Sequence, residues 1–347
     1  MDFEITDQHL EELTLLLLYL TSLREKVVPD FYIQRAWKGY DFGILDKLEK
    51  KDYITSSKRA KSVYITDEGI EKAKAILKKF QPFLSGFEAP ILQQDLDDEA
   101  IVHPKYFAEE LKSCSDEPEK VCLPSRCVAT FSYLDDLIKW LKETKKPEEL
   151  NWFSSRHKSC KFSEGDVELG VTISGIGAAH YAMHLENLIE LGVRECVLFG
   201  EVGVLNPGIP RGDVIIPKRA IREEGISYHY LSPSIYIESS SELTAKLIEA
   251  FRQKGFPLHI GDTWTTDAIY RETKRKIARY QEAGVLSVEM EAAAHFAVAK
   301  YRGIKAAAVF YAGDCIGGDE WDRRKEAKHS VQKEEIMEVI FSVLGSC

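Results

Sequence analysis

A chain of 347 residues is long enough for two domains, and its composition of 44% hydrophobic and 29% charged residues is that of a soluble globular protein. The net charge of −10 argues against a protein that binds nucleic acid over its whole surface. The seven cysteines include no Cys-x-x-Cys pair, which argues against a zinc cage or a disulfide framework and fits a reducing, cytoplasmic compartment. The apolar run Leu15 to Leu20 is too short to span a bilayer.

The charge is divided unevenly along the chain. Residues 1–80 hold 14 basic and 14 acidic side chains, whereas the rest holds 32 and 42. This difference predicts two parts with different partners. We expect a first domain at 1–81, a linker with short helices at 82–120, and a second domain at 121–347.

The first domain reads as a helix at 7–23, a second helix from Asp41, a basic turn, a strand at 63–66 and a last helix. The stretch Leu45 to Ile54 resembles the helix end that precedes the wing in winged-helix domains. This resemblance implies a winged helix whose Lys58, Arg59 and Lys61 are candidate DNA contacts. Because the domain is neutral overall, we expect protein docking or oligomerisation rather than DNA binding.

The second domain alternates strands and helices from residue 166 onward. Such alternation predicts an α/β fold with a largely parallel sheet covered by helices on both faces. The turn Gly175-Ile176-Gly177 follows a strand but lacks the third glycine of a dinucleotide fingerprint, so we expect no nicotinamide cofactor. No histidine or cysteine spacing indicates a metal site.

Four motifs occur in order along this domain: Ser174 to Ala179, Gly200 to Asp213, Trp264 to Tyr270, and Val288-Glu289-Met290-Glu291-Ala292-Ala293. Together they resemble the purine nucleoside/uridine phosphorylase superfamily, which also contains hydrolytic nucleosidases. The resemblance implies a three-layer α/β/α fold, a homo-oligomer with active sites near a subunit interface, and a nucleoside as ligand.

The resemblance also implies roles for particular residues. Breaking an N-glycosidic bond builds positive charge on the ribose, which a carboxylate beside the sugar can stabilise. Glu291 corresponds to this carboxylate, with Glu289 and Met290 completing the ribose site, and Asp314 corresponds to the aspartate that hydrogen-bonds N7 of a purine. The base-binding set is Thr266, Ile269, Tyr270 and Asp314. Relatives specific for uridine use a Gln and an Arg that we could not place here, so Asp314 favours a purine.

The phosphate site departs most from the family pattern. Phosphorolysis requires cations that hold an anionic nucleophile. The expected Gly-Asp-Pro-x-x-Arg loop is replaced near Arg126, Leu198 stands at the position of an arginine, and Glu201 at that of a hydroxyl. The candidate phosphate residues are Arg126, Arg156, Gly200 and Glu201, with inorganic phosphate as co-substrate and no other cofactor.

The sequence therefore predicts a nucleoside phosphorylase with Glu291 and Asp314 as catalytic residues. Two alternatives stay open. One is a hydrolytic nucleosidase in which Glu201 activates water, and the other is a nucleoside sensor with weak catalysis and a winged-helix output domain. The glycines before Trp321 also indicate either a mobile loop over the base or an ordinary surface turn.

Overall fold

The computed structural model describes residues 7–28, 31–37, 39–55, 62–87, 90–92, 96, 98–131, 134–150 and 158–346. The chain divides into two units, residues 1–90 and 91–347, and the division falls inside the segment predicted as a linker. Within the described ranges, every helix is too short or too polar to cross a lipid bilayer.

The first unit is a small α/β unit built around an antiparallel sheet in the strand order β1-β2-β4-β3. Its elements are α1 (Asp7–Leu20), β1 (Leu23–Val28), β2 (Phe31–Trp37), α2 (Phe42–Lys50), β3 (Ile54–Thr55), β4 (Ser62–Ile65) and α3 (Asp67–Phe87). Asp41 caps α2 by accepting a hydrogen bond of 3.1 Å from the backbone N–H of Ile44, which explains why this helix begins there.

The three predicted helices and the strand near 63–66 are present, but the hairpin of β1 and β2 between α1 and α2 was not predicted. The core of the unit uses Leu15 and Leu18 of α1, whereas Leu10, Leu13 and Leu17 on another face are 40–47% exposed. Since α1 carries leucine on several faces, its periodicity alone could not select the buried one. The predicted wing residues Lys58, Arg59 and Lys61 lie outside the described residues.

The second unit contains a ten-stranded mixed sheet with helices on both faces. Its helices are α4 (Lys105–Ser113), α5 (Asp135–Lys145), α6 (Ala178–Glu190), α7 (Ser241–Gln253), α8 (Lys274–Glu282), α9 (Ala292–Arg302) and α10 (Lys333–Gly345). Its strands are β5 (Arg126–Phe131), β6 (Glu148–Glu149), β7 (Lys158–Glu164), β8 (Val167–Ser174), β9 (Glu195–Val204), β10 (Val214–Glu223), β11 (Tyr236–Glu238), β12 (Leu258–Thr266), β13 (Val285–Glu289) and β14 (Lys305–Cys315).

The sheet has the order β11-β10-β12-β13-β9-β5-β8-β7-β6, and β14 pairs with both β10 and β9. Strands β5, β8, β9 and β14 form one parallel group, and β10, β12 and β13 form another. The two groups meet in antiparallel contacts, including the tips of β9 and β13. The predicted α/β fold is confirmed, although the sheet is mixed rather than largely parallel.

The sheet separates two apolar layers, which makes the unit three-layered. Neighbouring residues of β9 point to opposite layers: Leu198 and Val202 pack with α6 and α9, whereas Val197 and Phe199 pack with α7 and α10. Burying both faces of a long strand explains why β9 and β14 read as nearly continuous apolar runs. The ends of β8, β9, β13 and β14 then carry the polar residues of the candidate site.

Candidate active site

Glu291 is the residue that joins two of the predicted motifs. It lies between β13 and α9 and is only 5% exposed. Its Oε1 accepts a hydrogen bond of 2.5 Å from the backbone N–H of Gly177, in the turn that follows β8. Gly177 has a φ of 102°, a conformation that favours glycine, so the turn can bring its N–H to the carboxylate. Residues 114 positions apart are thereby brought together.

Glu289 holds the backbone that carries Glu291. Its Oε2 accepts hydrogen bonds from the backbone N–H groups of Glu291 (2.7 Å) and Ala292 (2.6 Å). Backbone N–H groups at the start of a helix such as α9 have no partner within the helix, and Glu289 supplies one. Its Oε1 accepts a 2.6 Å bond from the hydroxyl of Thr265. Both oxygens of Glu289 thus accept hydrogen bonds within the protein, and these bonds hold the backbone at Glu291 in place.

The two glutamates titrate far from their ordinary range. Burial raises the pKa of Glu289 to about 7. Burial, and secondly the charge of Glu289, raises the pKa of Glu291 to about 8. Because the two groups interact, they retain protons near neutral pH as a pair. Hydrogen bonds from a ligand to the charged form of Glu291 would favour its ionisation.

The other predicted ribose and base residues lie on the adjoining segments. Met290 is half-buried between the two glutamates in sequence. Thr266 at the end of β12 is buried, and its hydroxyl accepts a 3.3 Å bond from the N–H of Ala268. That bond shapes the turn carrying Ile269, which is 50% exposed, and Tyr270, which is 94% exposed. Tyr270 is therefore open to solvent in the isolated chain.

Asp314 lies at a register shift between β14 and β9. Along β14 the step from Ala312 to Cys315 matches the step from Val202 to Val204 on β9, so one extra residue is accommodated. Such bulges re-aim a side chain beside many active sites. A β-carbon added at Gly203 would lie 3.5 Å from Oδ1 of Asp314 and 3.1 Å from Val288. Asp314 thus lies where the ends of β9, β13 and β14 meet.

Glu201 lies against the same bulge and is ion-paired. Its carboxylate accepts a 2.6 Å bond from Nζ of Lys333 and lies 3.6 Å from the guanidinium of Arg211. A β-carbon at Gly313 would lie 2.6 Å from Oε1 of Glu201, so only glycine leaves room for this carboxylate. Gly200 is an interior residue of β9 in register with Phe310 of β14.

Arg126 does not join the site, which corrects the sequence prediction. It begins β5, where it is in register with Glu195 at the start of the parallel strand β9, whereas Glu201 and Asp314 lie at the opposite ends of the strands. Its guanidinium donates a 2.9 Å bond to the carbonyl of Leu344 and lies 3.5 Å from Glu195. Arg156 lies outside the described residues.

The structure adds residues that the sequence interpretation had not placed in the site. The indole N–H of Trp321 donates to Oδ2 of Asp314. Burial, and secondly the charge of Asp314, raises the pKa of Glu272 to about 7. Glu272 directly follows Tyr270 and Arg271, so the sequence motif that ends at Tyr270 could have been extended to include it. Lys333 is 132 residues from Glu201, so no local sequence pattern could have connected the two.

The two parts of the chain match two different protein families. Residues 128–342, more than half of the chain, match the family described as the phosphorylase superfamily. Residues 6–82 match a family described only as a domain of unknown function, so the winged-helix interpretation stays a prediction.

Curated relatives named as phosphorylases also match the chain. A guanosine phosphorylase of Halorubrum lacusprofundi is 29% identical over 184 residues, covering 51% of this chain and 76% of the relative. A uridine phosphorylase of Thermococcus kodakarensis is 35% identical over 156 residues, covering 41% of this chain and 56% of the relative. A purine nucleoside phosphorylase of Bacillus cytotoxicus is 27% identical over 145 residues, covering 41% and 62%. The family match over more than half of the chain leads to one conclusion: the chain belongs to the phosphorylase superfamily.

Proposed function

We propose that the chain cleaves the N-glycosidic bond of a purine nucleoside by phosphorolysis, releasing the free base and ribose 1-phosphate. The observation that carries this proposal is the buried carboxyl of Glu291, fixed by Gly177 and backed by Glu289. The names of the relatives support nucleoside phosphorolysis in general, since they include guanosine, uridine and purine nucleoside phosphorylases.

Glu291 suits the sugar half of the reaction. The 2′- and 3′-hydroxyls of ribose are hydrogen-bond donors, and an ionised carboxylate offers acceptors for both. As the C1′–N bond breaks, its electron pair leaves with the base and the ribose ring gains positive charge, which the same carboxylate stabilises. Since Oε1 is already fixed by Gly177, the carboxylate does not have to reorient during the reaction.

Asp314 suits the base half and favours a purine. A protonated Asp314 can donate to N7 as the leaving base gains negative charge. The neighbouring carboxyl of Glu272, whose pKa is raised to about 7 by burial and secondly by the charge of Asp314, can hold a proton beside Asp314 near neutral pH. A pyrimidine offers no N7, so the purine preference depends on this residue.

The second substrate depends on Glu201, Lys333 and Arg211. The two cations lie against the carboxylate beside Gly313 and could hold phosphate if that carboxylate were displaced. Because Glu201 engages both cations, it competes with phosphate for them, which favours hydrolysis as a second candidate function. In that reaction water attacks C1′ and Glu201 acts as the general base.

The proposal is tested with the purified chain and a panel of nucleosides (inosine, guanosine, adenosine and uridine), each with and without phosphate, while free base and ribose 1-phosphate are measured. We expect purine release that requires phosphate and yields equal amounts of both products. Release of base without phosphate would support hydrolysis. The absence of release from every nucleoside, with a well-folded protein, would overturn both candidate functions.

A further inference from the structure

Trp321 occupies one of the two oxygens of Asp314. Its indole N–H donates to Oδ2, while Oδ1 lies toward Gly203 at the tip of β9. An indole N–H can only donate, so it engages an oxygen that carries a lone pair and leaves the other oxygen for a further partner. In this arrangement the oxygen on the side of β9 and β13 is the one left to meet a ligand.

The segment that carries Trp321 is fixed at both ends rather than free. Cys315 and Asp322 exchange two backbone hydrogen bonds of 2.8 and 2.9 Å, which close the intervening loop. The side chain of Gln281 donates to the carbonyls of Leu205 (2.6 Å) and Gly317 (2.9 Å). A β-carbon at Gly317 would lie 1.7 Å from the Leu205 carbonyl oxygen, so the loop packs closely there. These contacts hold the indole in place beside Asp314.

Charged groups surround this contact. The guanidinium of Arg323 lies 5.0 Å from the centre of the indole ring, and the ring remains 60% exposed. Glu272, in the segment before α8, lies close enough to Asp314 for the two charges to interact, and the positive charge of Lys276 on α8 lowers the pKa of Glu272. The carboxylate of Asp314 is therefore flanked by one carboxyl and one neutral donor, and the donor is the group that can stabilise its negative charge.

We propose that Trp321 is a positioning residue of the base site, which orients Asp314 so that Oδ1 faces N7 of the base and stabilises the charge that forms on Asp314 when it gives up its proton. This inference rests on the proposed function. Hydrogen bonds to an ionised group are stronger than those to its neutral form, so the indole N–H contributes more after proton transfer than before it. Its effect should therefore appear in kcat rather than in KM.

The kinetic test compares Trp321→Phe, Asp314→Asn and the double variant on a purine nucleoside. Trp321→Phe keeps an aromatic ring and removes only the donor. We expect kcat to fall about tenfold with KM little changed, the size of one hydrogen bond to a charged group. The double variant should be no slower than Asp314→Asn alone, because Trp321 acts through that carboxyl. A full tenfold loss added to Asp314→Asn, or an unchanged kcat in Trp321→Phe, would overturn the proposal.

Trp140→Phe is the matched control, since it makes the same substitution on α5, where Trp140 packs against the apolar layer that contains α7 and α10. A second readout does not depend on turnover. The emission of Trp321 is the difference between a chain with Trp321 and the same chain with Trp321→Phe, and it should shift when Asp314→Ala removes the acceptor of the indole N–H. Identical Trp321 emission with Asp or Ala at 314 would refute the contact. If no nucleoside is cleaved, the proposed function fails, and the emission still decides whether Trp321 engages Asp314.

Discussion

The two ends of the candidate site hold their carboxylates in different ways. At the ribose end, Glu289 and Glu291 are 8% and 5% exposed and bond to backbone N–H groups. At the other end, Asp314 bonds to an indole and Glu201 to cationic side chains, and these groups are only partly buried. Backbone groups of the fold therefore hold the carboxylates of the proposed sugar site, whereas side chains hold those of the proposed base and second-substrate sites.

The largest effect should come from the ribose end. Glu291→Ala should lower kcat/KM by about 10²–10³-fold, because it removes a preorganised charge beside the developing cation. Glu291→Gln should lose less, since its amide oxygen can still accept from Gly177. Steady-state kinetics on one purine nucleoside checks both variants. A rate for Glu291→Ala within threefold of the unchanged chain would remove Glu291 from the mechanism.

Asp314→Asn should separate the two halves of the substrate. We expect kcat for a purine nucleoside to fall about 10²-fold, because an amide cannot supply the proton that a general acid gives. Any uridine cleavage should change far less, since a pyrimidine has no N7. Parallel assays with inosine and uridine measure this ratio. Equal losses on both nucleosides would show that Asp314 does not read the base.

Glu201→Gln distinguishes phosphate from water as the second substrate. In a phosphorylase, removing this charge leaves Lys333 and Arg211 free to attract phosphate, so the KM for phosphate should fall about tenfold. In a hydrolase that uses Glu201 as its base, the phosphate-independent rate should fall instead. Glu195→Gln is the control, because Glu195 is an ion-paired glutamate at the other end of β9. Similar effects of both variants would mean that Glu201 has no special role.

The smallest expected effect is on stability. The pKa of Glu291 in the folded chain is raised to about 8 from an ordinary value of 4.5. Its contribution to stability is therefore complete below about pH 4.5 and is lost as the pH rises through 8. Glu291→Gln should reduce the fall in Tm between pH 5.5 and 8.5 by about 3 °C. Calorimetry at the two pH values measures this, and an unchanged fall would contradict the burial argument.

Local pattern was enough to predict the candidate ribose site. Glu289, Met290 and Glu291 are consecutive and follow a short apolar strand, so their proximity required no knowledge of distant pairing. The alternation of strands and helices likewise predicted the α/β fold. The β1–β2 hairpin of the first unit was missed because its polar and apolar residues do not alternate clearly over Leu23–Val28.

Arg126 shows that position in the sequence alone does not place a residue in a site. A phosphate ligand was sought near the first strand of the domain, but the parallel direction of β5 places this residue at the far ends of the strands. The direction of a strand decides at which end of the sheet its first residue lies, and residues at opposite ends of the strands are too far apart to bind the same ligand.

By itself, the sequence determined the fold class and predicted Glu289, Met290, Glu291 and Asp314 as candidate site residues, since each of these patterns is short and contiguous. The tertiary structure decided what each carboxyl contacts: Gly177 for Glu291, Trp321 for Asp314, and Lys333 with Arg211 for Glu201. Gly177 and Lys333 are 114 and 132 residues from their carboxyls, and even Arg211 and Trp321, which are closer in sequence, meet theirs only in the folded chain. The charge state of a carboxyl depends on its burial and neighbours, which only the assembled sheet provides.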